Sequence, residues 1–344
     1  VLGGILALLA AATFAFNAVS SRRAVLTGTV AQGMAVTVPL GVPLFFVVTA
    51  AAGFLGVIAS FSAWTLFWLS AAGIIHFVWG RYCNYRTTRA VGANFAGNLQ
   101  QFDLILTLVL AIWILGETLT PLKMAGIVLV VFGAGLRPQQ PAKPGRTALP
   151  LDEGVEPAAT LPSAAGAPKP VAFTPNYVEG YLWGILAMTG YGVSPIFIRL
   201  ALENSNPGIS LAGGLVSYVA ATAVVALMML WPGQLRHALA VDRETLKWFT
   251  LAGVLVCLSQ MFRYMALSVA PVTVVQPIQR MSVLFRFLFG WVLNREHEIF
   301  DNRIYLGAAV SLVGALALSI STDVVLAHVP LPDWAVALAR WQWP

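Results

Sequence analysis

The sequence predicts an all-α membrane protein: ten transmembrane helices arranged as two inverted five-helix repeats. Three observations lead there. First, 58% of the 344 residues are hydrophobic, only 10% are charged, and the mean hydropathy is +0.80. Soluble domains carry about 25% charged residues. Second, ten stretches approach the roughly 20 apolar residues that a helix needs to cross a bilayer. Third, one pattern occurs twice. AIWILGETLTPLKMAGIVLVVFGAG spans 111–135 and GWVLNREHEIFDNRIYLGAAVSLVGAL spans 290–316. In each, an apolar stretch ends at a glutamate, Glu117 or Glu296, and a second apolar stretch follows a polar break. That second stretch carries glycines seven apart, Gly126/Gly133 and Gly307/Gly314.

The elements follow in order. The first half offers spans over 1–20, 29–51, 62–83, 91–115 and 120–137. The second half offers 179–201, 208–231, 247–268, 272–293 and 304–321. No cleavable-signal pattern is read over Val1–Ser20, which forms the first span. Residues 1–137 make one repeat and 178–321 the other. Between them, 138–177 is rich in Pro and Ala, cannot build a core, and reads as a disordered linker. The tail 322–344 holds Trp334, Trp341 and Trp343 and reads as an interfacial segment.

The repeat register is about 179 residues: Tyr85 matches Tyr264, Gln100 matches Gln279 and Glu117 matches Glu296. Gly4-Ile5-Leu6-Ala7 recurs as Gly184-Ile185-Leu186-Ala187. Five spans is an odd number, so two such units insert with opposite orientation, an arrangement common in secondary transporters. Lys and Arg cluster in the odd-numbered connections, which places the linker in the cytoplasm and both termini outside. The surroundings expected are a bilayer, the plasma (bacterial inner) membrane.

The stretch LGETLTPLKMAGIVLVVFGAGL resembles the closing signature of the EamA repeat of the drug/metabolite transporter superfamily. The second copy, LNREHE followed by LGAAVSLVGALAL, is a more divergent match. The resemblance covers both halves but neither the linker nor the tail. It implies ten helices in two inverted repeats and the movement of small metabolites. The linker and the arginines within the spans depart from the simplest family pattern.

Ionisable groups inside a bilayer are costly and mark a polar interior. In the ninth span Gln276, Gln279 and Arg286 share a face with Arg280 beside it, around Pro277. In the eighth, Gln260, Arg263 and Tyr264 form another polar face. The fourth supplies Asn98 and Gln101 on one stripe and Asp103 and Thr107 on the next. Asn17 in the first span lies at a depth similar to Ser194-Pro195 in the sixth, with Tyr191 nearby. At the repeat offset Thr107 corresponds to Arg286 and Asp103 to Ser282.

Arginines outnumber acids here, and the planar guanidinium pairs well with carboxylate and phosphate. The expected partner is an anionic solute or the phosphate of a lipid headgroup, with these residues as substrate ligands. Asp103 is either the carrier of a coupling proton or the fixed partner of an arginine.

Other classes fit poorly. Glu296-His297-Glu298 has no second histidine four residues away, so no metal site is read there. No serine-based triad or phosphate loop stands out, so neither catalysis nor a cofactor is expected. Net charge +6 lies largely within or beside the spans, which argues against nucleic acid. Cys83 and Cys257 lack CxxC spacing and read as packing residues. His76 reads as a buried hydrogen-bonding group. Glu117 and Glu296 read as caps for the start of the helix that follows each of them.

Overall fold

The computed structural model describes residues 1–24, 28–91, 103–135, 176–282 and 332–341, with short pieces between 284 and 326. Among these the protein is all helical apart from turns. Six helical spans are long and apolar enough to cross a membrane: Leu2–Ser21, Val30–Ala51, Ala63–Thr87, Tyr177–Leu202, Pro207–Met229 and Arg243–Val269. Asp103–Leu115 and Pro121–Gly133 are shorter apolar helices. Asn98, Gln101, Arg286 and Glu296 lie outside the described residues.

The helices are α1 (Leu2–Ala24), α2 (Val30–Thr37), α3 (Gly41–Ala51), α4 (Ala63–Gly73) and α5 (Arg81–Val91). Next come α6 (Asp103–Leu115), α7 (Pro121–Gly135), α8 (Tyr177–Leu202) and α9 (Pro207–Met229). The chain continues through α10 (Gln234–Leu239), α11 (Arg243–Val269), α12 (Val272–Gln279) and α13 (Asp333–Arg340). Large apolar side chains such as Val47, Trp64, Phe67 and Trp113 are exposed on the outside. Such a surface would associate in water and suits a lipid environment.

Small residues let the helices of the two halves approach. Ala7, Ala11 and Ala15 recur every four residues along α1 and are fully buried. That stripe packs on α11, where Ser259 Oγ donates to the Ala10 carbonyl at 2.8 Å. In α4, Gly73 lies against the Ser217 backbone of α9, where a Cβ would have no room. Ser217 Oγ donates to the Leu69 carbonyl at 2.6 Å in the same contact. Without a hydrophobic drive between helices in lipid, such close packing and interhelical bonds are what hold them together.

Three apolar stretches are not simple rods. The second is interrupted at 38–40, between α2 and α3, beside Pro39, which has no amide to donate. The third passes through a π-helical segment, Ile74–Gly80, between α4 and α5. Such segments re-aim side chains and are frequent at functional sites; this one carries His76. In the ninth, α12 includes Pro277 and stops at Gln279, with Arg280 and Met281 in a turn. By contrast α8 runs on through Pro195, which only withdraws the amide that the Tyr191 carbonyl would have accepted.

Glu117 is a cap, but not for the helix that follows it. Its two carboxylate oxygens accept from the Val272 and Thr273 amides, at 2.7 and 2.8 Å, at the start of α12. A carboxylate suits the positive end of a helix, and here it ties the end of α6 to the other half of the chain. The sequence shows the helix-end residue but not which helix it meets. Glu117→Ala is expected to lower stability by about 1 kcal/mol, the usual cost of losing a cap. A thermal unfolding midpoint in detergent measures it, with Glu117→Gln intermediate.

Asp242 caps α11 by accepting from the Glu244 and Thr245 amides, both at 3.0 Å. These bonds, chiefly those from Thr245, hold its carboxyl below the usual carboxylate range. The folded protein therefore binds this proton less readily than the unfolded chain. The cap's contribution is present above about pH 4, where the unfolded carboxyl is ionised, and is lost as pH falls through the lower folded value. Asp242→Asn should flatten that part of the acid-unfolding curve.

Candidate substrate-binding site

The π-helical segment presents His76 to α8 and α11. Its Nδ1 lies 2.9 Å from Ser194 Oγ, and its ring stands edge-on to Tyr191 with centroids 4.9 Å apart. Gly80 and Gly190 allow this approach. A Cβ on Gly80 would press on the Tyr191 ring, and one on Gly190 would meet Trp79 and the Gly80 backbone.

Arg263, from α11, completes the cluster. Its Nη1 lies 3.2 Å from His76 Nδ1 and 3.1 Å from Nε2, so the guanidinium crosses the imidazole rather than meeting one nitrogen end-on. Nη1 also donates to Gln260 Oε1 at 3.2 Å, and Nη2 donates to Ser194 Oγ at 3.0 Å. Among the described residues its Nε has no hydrogen-bond partner. Arg263 is only 4% exposed, and among the described residues it forms no ion pair with a carboxylate. Tyr264, beside it, is fully buried and meets Phe45 edge-on.

A second group lies at the break after α12. Arg280 donates to Asp103 Oδ1 in an ion pair between the two halves of the chain. Asp103 begins α6, and its carbonyl accepts from Thr107 Oγ1 at 2.8 Å. The same hydroxyl reaches the Gly192 carbonyl of α8 at 3.0 Å, which ties α6 to the helix bearing Tyr191 and Ser194. Asp103 and Arg280 thus meet across the two halves of the chain.

Gln276 is buried one turn before Arg280, and among the described residues its amide nitrogen has no hydrogen-bond partner. Gln279 is half-buried. Asn17 stands apart, accepting from Ser21 Oγ at 3.1 Å on its own helix. Of the sequence-selected residues, Gln260, Arg263 and Ser194 are therefore joined directly, with Tyr191 against the His76 ring.

Two participants were not selected from sequence. One is His76, the hub of the first group. The other is Arg81, at the end of the π-helical segment, 9% exposed and donating to Thr37 Oγ1 at 2.8 Å. Its guanidinium lies 5.9 Å from the Phe77 ring centroid. Arg81 stood inside a predicted span and was legible as an intramembrane charge. What the sequence lacked was any sign that the helix widens just before it.

Not every buried arginine belongs here. Arg199 donates to the Leu267 and Ser268 carbonyls at 2.9 and 3.3 Å and pairs with Glu203 at 3.2 Å. It closes the end of α11, where those carbonyls lack helical donors.

The fold and this interior define a multi-pass helical membrane protein built to keep charge inside. The model of the EamA-like transporter family matches residues 1–136 and 178–320, and the chain belongs to that family. It is a transporter and not an enzyme. No curated protein matches it. A crystal structure described only as that of a protein is similar in fold. It is 18% identical with a TM-score of 0.62, over 98% of this chain and 96% of that one.

Proposed function

We propose that this transporter moves a small organic anion by alternating access, with Arg263, Arg280 and their neighbours as the substrate site. The observation that carries this is the charge balance. Arg81, Arg263 and Arg280 share the interior with one carboxylate, Asp103, among the described residues of the site. A buried charge without a counter-ion is costly, and an anionic ligand would offset that cost. The unpartnered Arg263 Nε and Gln276 Nε2 add donors facing the same need.

In this reading the chain is two inverted five-helix repeats, 1–137 and 178–321, joined by the linker 138–177 and followed by the interfacial tail 322–344. It sits in the bacterial inner membrane with the linker in the cytoplasm. The ninth and tenth spans complete the ten, and Asn98, Gln101, Gln279, Arg286 and Tyr264 join the lining. One repeat rocks against the other around the site.

A thermal-shift screen on purified protein tests the substrate class. Organic acids, phosphorylated metabolites or lipid phosphates should raise the unfolding midpoint while neutral amino acids do not. Ligand at a hundred times its Kd contributes about 2.7 kcal/mol. Stabilisation by neutral amino acids alone would overturn the anionic reading, and stabilisation by lipid phosphates alone would move the substrate into the bilayer.

A further inference from the structure

Arg81 differs from the other buried arginines. Arg280 has Asp103, and Arg199 has Glu203 and two helix-end carbonyls. Among the described residues Arg81 has one hydrogen bond, to the Thr37 hydroxyl, and the face of Phe77. Among the described residues it has no carboxylate partner, although it is more than nine-tenths buried. Among the described residues the polar groups within electrostatic reach of it are Tyr85, Tyr218, Tyr191, Cys257 and His76, none of them a carboxylic acid. Aromatic faces ease the burial of a guanidinium but leave its charge uncompensated.

Its position repeats that of the first anion-binding group. At the 179-residue offset, Arg81 corresponds to Gln260 and Tyr85 to Tyr264. Arg263 stands one residue before Tyr264 and one helical turn beyond Gln260. Corresponding helices of the two repeats thus each bring to the interior one guanidinium that, among the described residues, forms no ion pair with a carboxylate; Asp103 is within electrostatic reach of Arg263 alone of the two. His76 and Tyr191 lie within electrostatic reach of both.

From these two buried guanidiniums without an ion-paired carboxylate we infer that Arg81, oriented by Thr37, is a second anion subsite, and that the transported solute carries two negative charges. The inference rests on the anionic reading above and narrows it to dicarboxylates and phosphomonoesters. One charge meets Arg263 beside Ser194 and the other meets Arg81. The Asp103–Arg280 pair is already neutral, so the described site carries a surplus of two positive charges, which a dianion balances and a monoanion does not.

The test is a thermal-shift titration of the purified full chain at constant ionic strength. It compares glutarate with glutaramate, in which an amide replaces one carboxylate at nearly the same size. Glutarate is expected to bind roughly tenfold more tightly, the scale of one charge-assisted contact. Arg81→Gln should bring glutarate down to the level of glutaramate, weakening glutaramate itself far less. Arg81→Lys should retain most of the preference. If Arg81→Gln does not fold, Thr37→Val serves instead and should lower the glutarate preference severalfold.

Glycerol 3-phosphate and lysophosphatidic acid carry the same phosphomonoester on a soluble and a lipid body. Binding of the first supports a free dianion. Binding of the lipid alone keeps the two-charge site but overturns a soluble solute. Equal binding of glutarate and glutaramate, unaffected by Arg81→Gln, overturns the second subsite and leaves the anionic reading standing. Failure of all four probes overturns both.

Discussion

Arg263→Gln is expected to weaken anion binding about a hundredfold, and transport with it, without lowering the stability of the ligand-free protein. Arg263 donates to Ser194 and Gln260 and lies across His76, yet no described carboxylate pairs with it. Losing a charge-assisted contact to substrate should cost about 3 kcal/mol, roughly a hundredfold in affinity. The same substitution removes a buried charge that lacks a counter-ion. Its absence relieves a desolvation cost, so the unfolding midpoint without ligand should hold or rise. Sites that sacrifice stability for function behave this way. A structural arginine would give the opposite pattern: a lower midpoint with the anion-induced shift intact. Paired unfolding curves with and without organic anion separate the two.

Asp103→Asn is expected to do the reverse. It removes the carboxylate partner of Arg280 at a junction of the two halves. Breaking a buried pair from one side costs about 3–5 kcal/mol, because a buried charge loses its compensation. The midpoint should therefore fall sharply, and the double variant Asp103→Asn/Arg280→Gln should recover much of the loss. Anion binding should survive in whatever fraction folds, since the site gains positive charge. Transport separates this fixed pair from a proton carrier. If Asp103 carries a coupling proton, Asp103→Asn keeps anion exchange but loses accumulation driven by a pH gradient. If it is a fixed partner, exchange and driven uptake fall together with the amount of folded protein.

Much of the architecture could be read from residues alone, because in a membrane protein length and apolarity decide what spans. The six long spans among the described residues coincide with predicted ones within a few residues. The Tyr85/Tyr264 register pairs the third and eighth predicted spans, which bring His76 and Arg263 together. What could not be read are features made by tertiary contact. Glu117 looked like a cap for its own following helix, and only packing shows that it holds α12. Both Pro195 and Pro277 stand inside apolar stretches, yet α8 continues through the first and α12 stops just after the second. A proline's consequence depends on whether neighbouring helices hold the segment straight.

The π-helical segment left no sequence signature beyond its bracketing glycines, Gly73 and Gly80. With it went the placing of His76 and Arg81. Among the selected residues, Arg263, Gln260 and Ser194 met because intramembrane polarity is expensive and gathers in one interior. Asn17 did not join them, since a neighbouring serine satisfies it locally.

The most direct test of the central claim is a counterflow assay in proteoliposomes, with labelled glutarate outside and unlabelled glutarate or glutaramate inside. The account predicts that wild-type protein exchanges glutarate for glutarate, does so much less with glutaramate, and loses the exchange in Arg263→Gln. Exchange that is indifferent to the anionic charge, or that persists undiminished without Arg263, would contradict it.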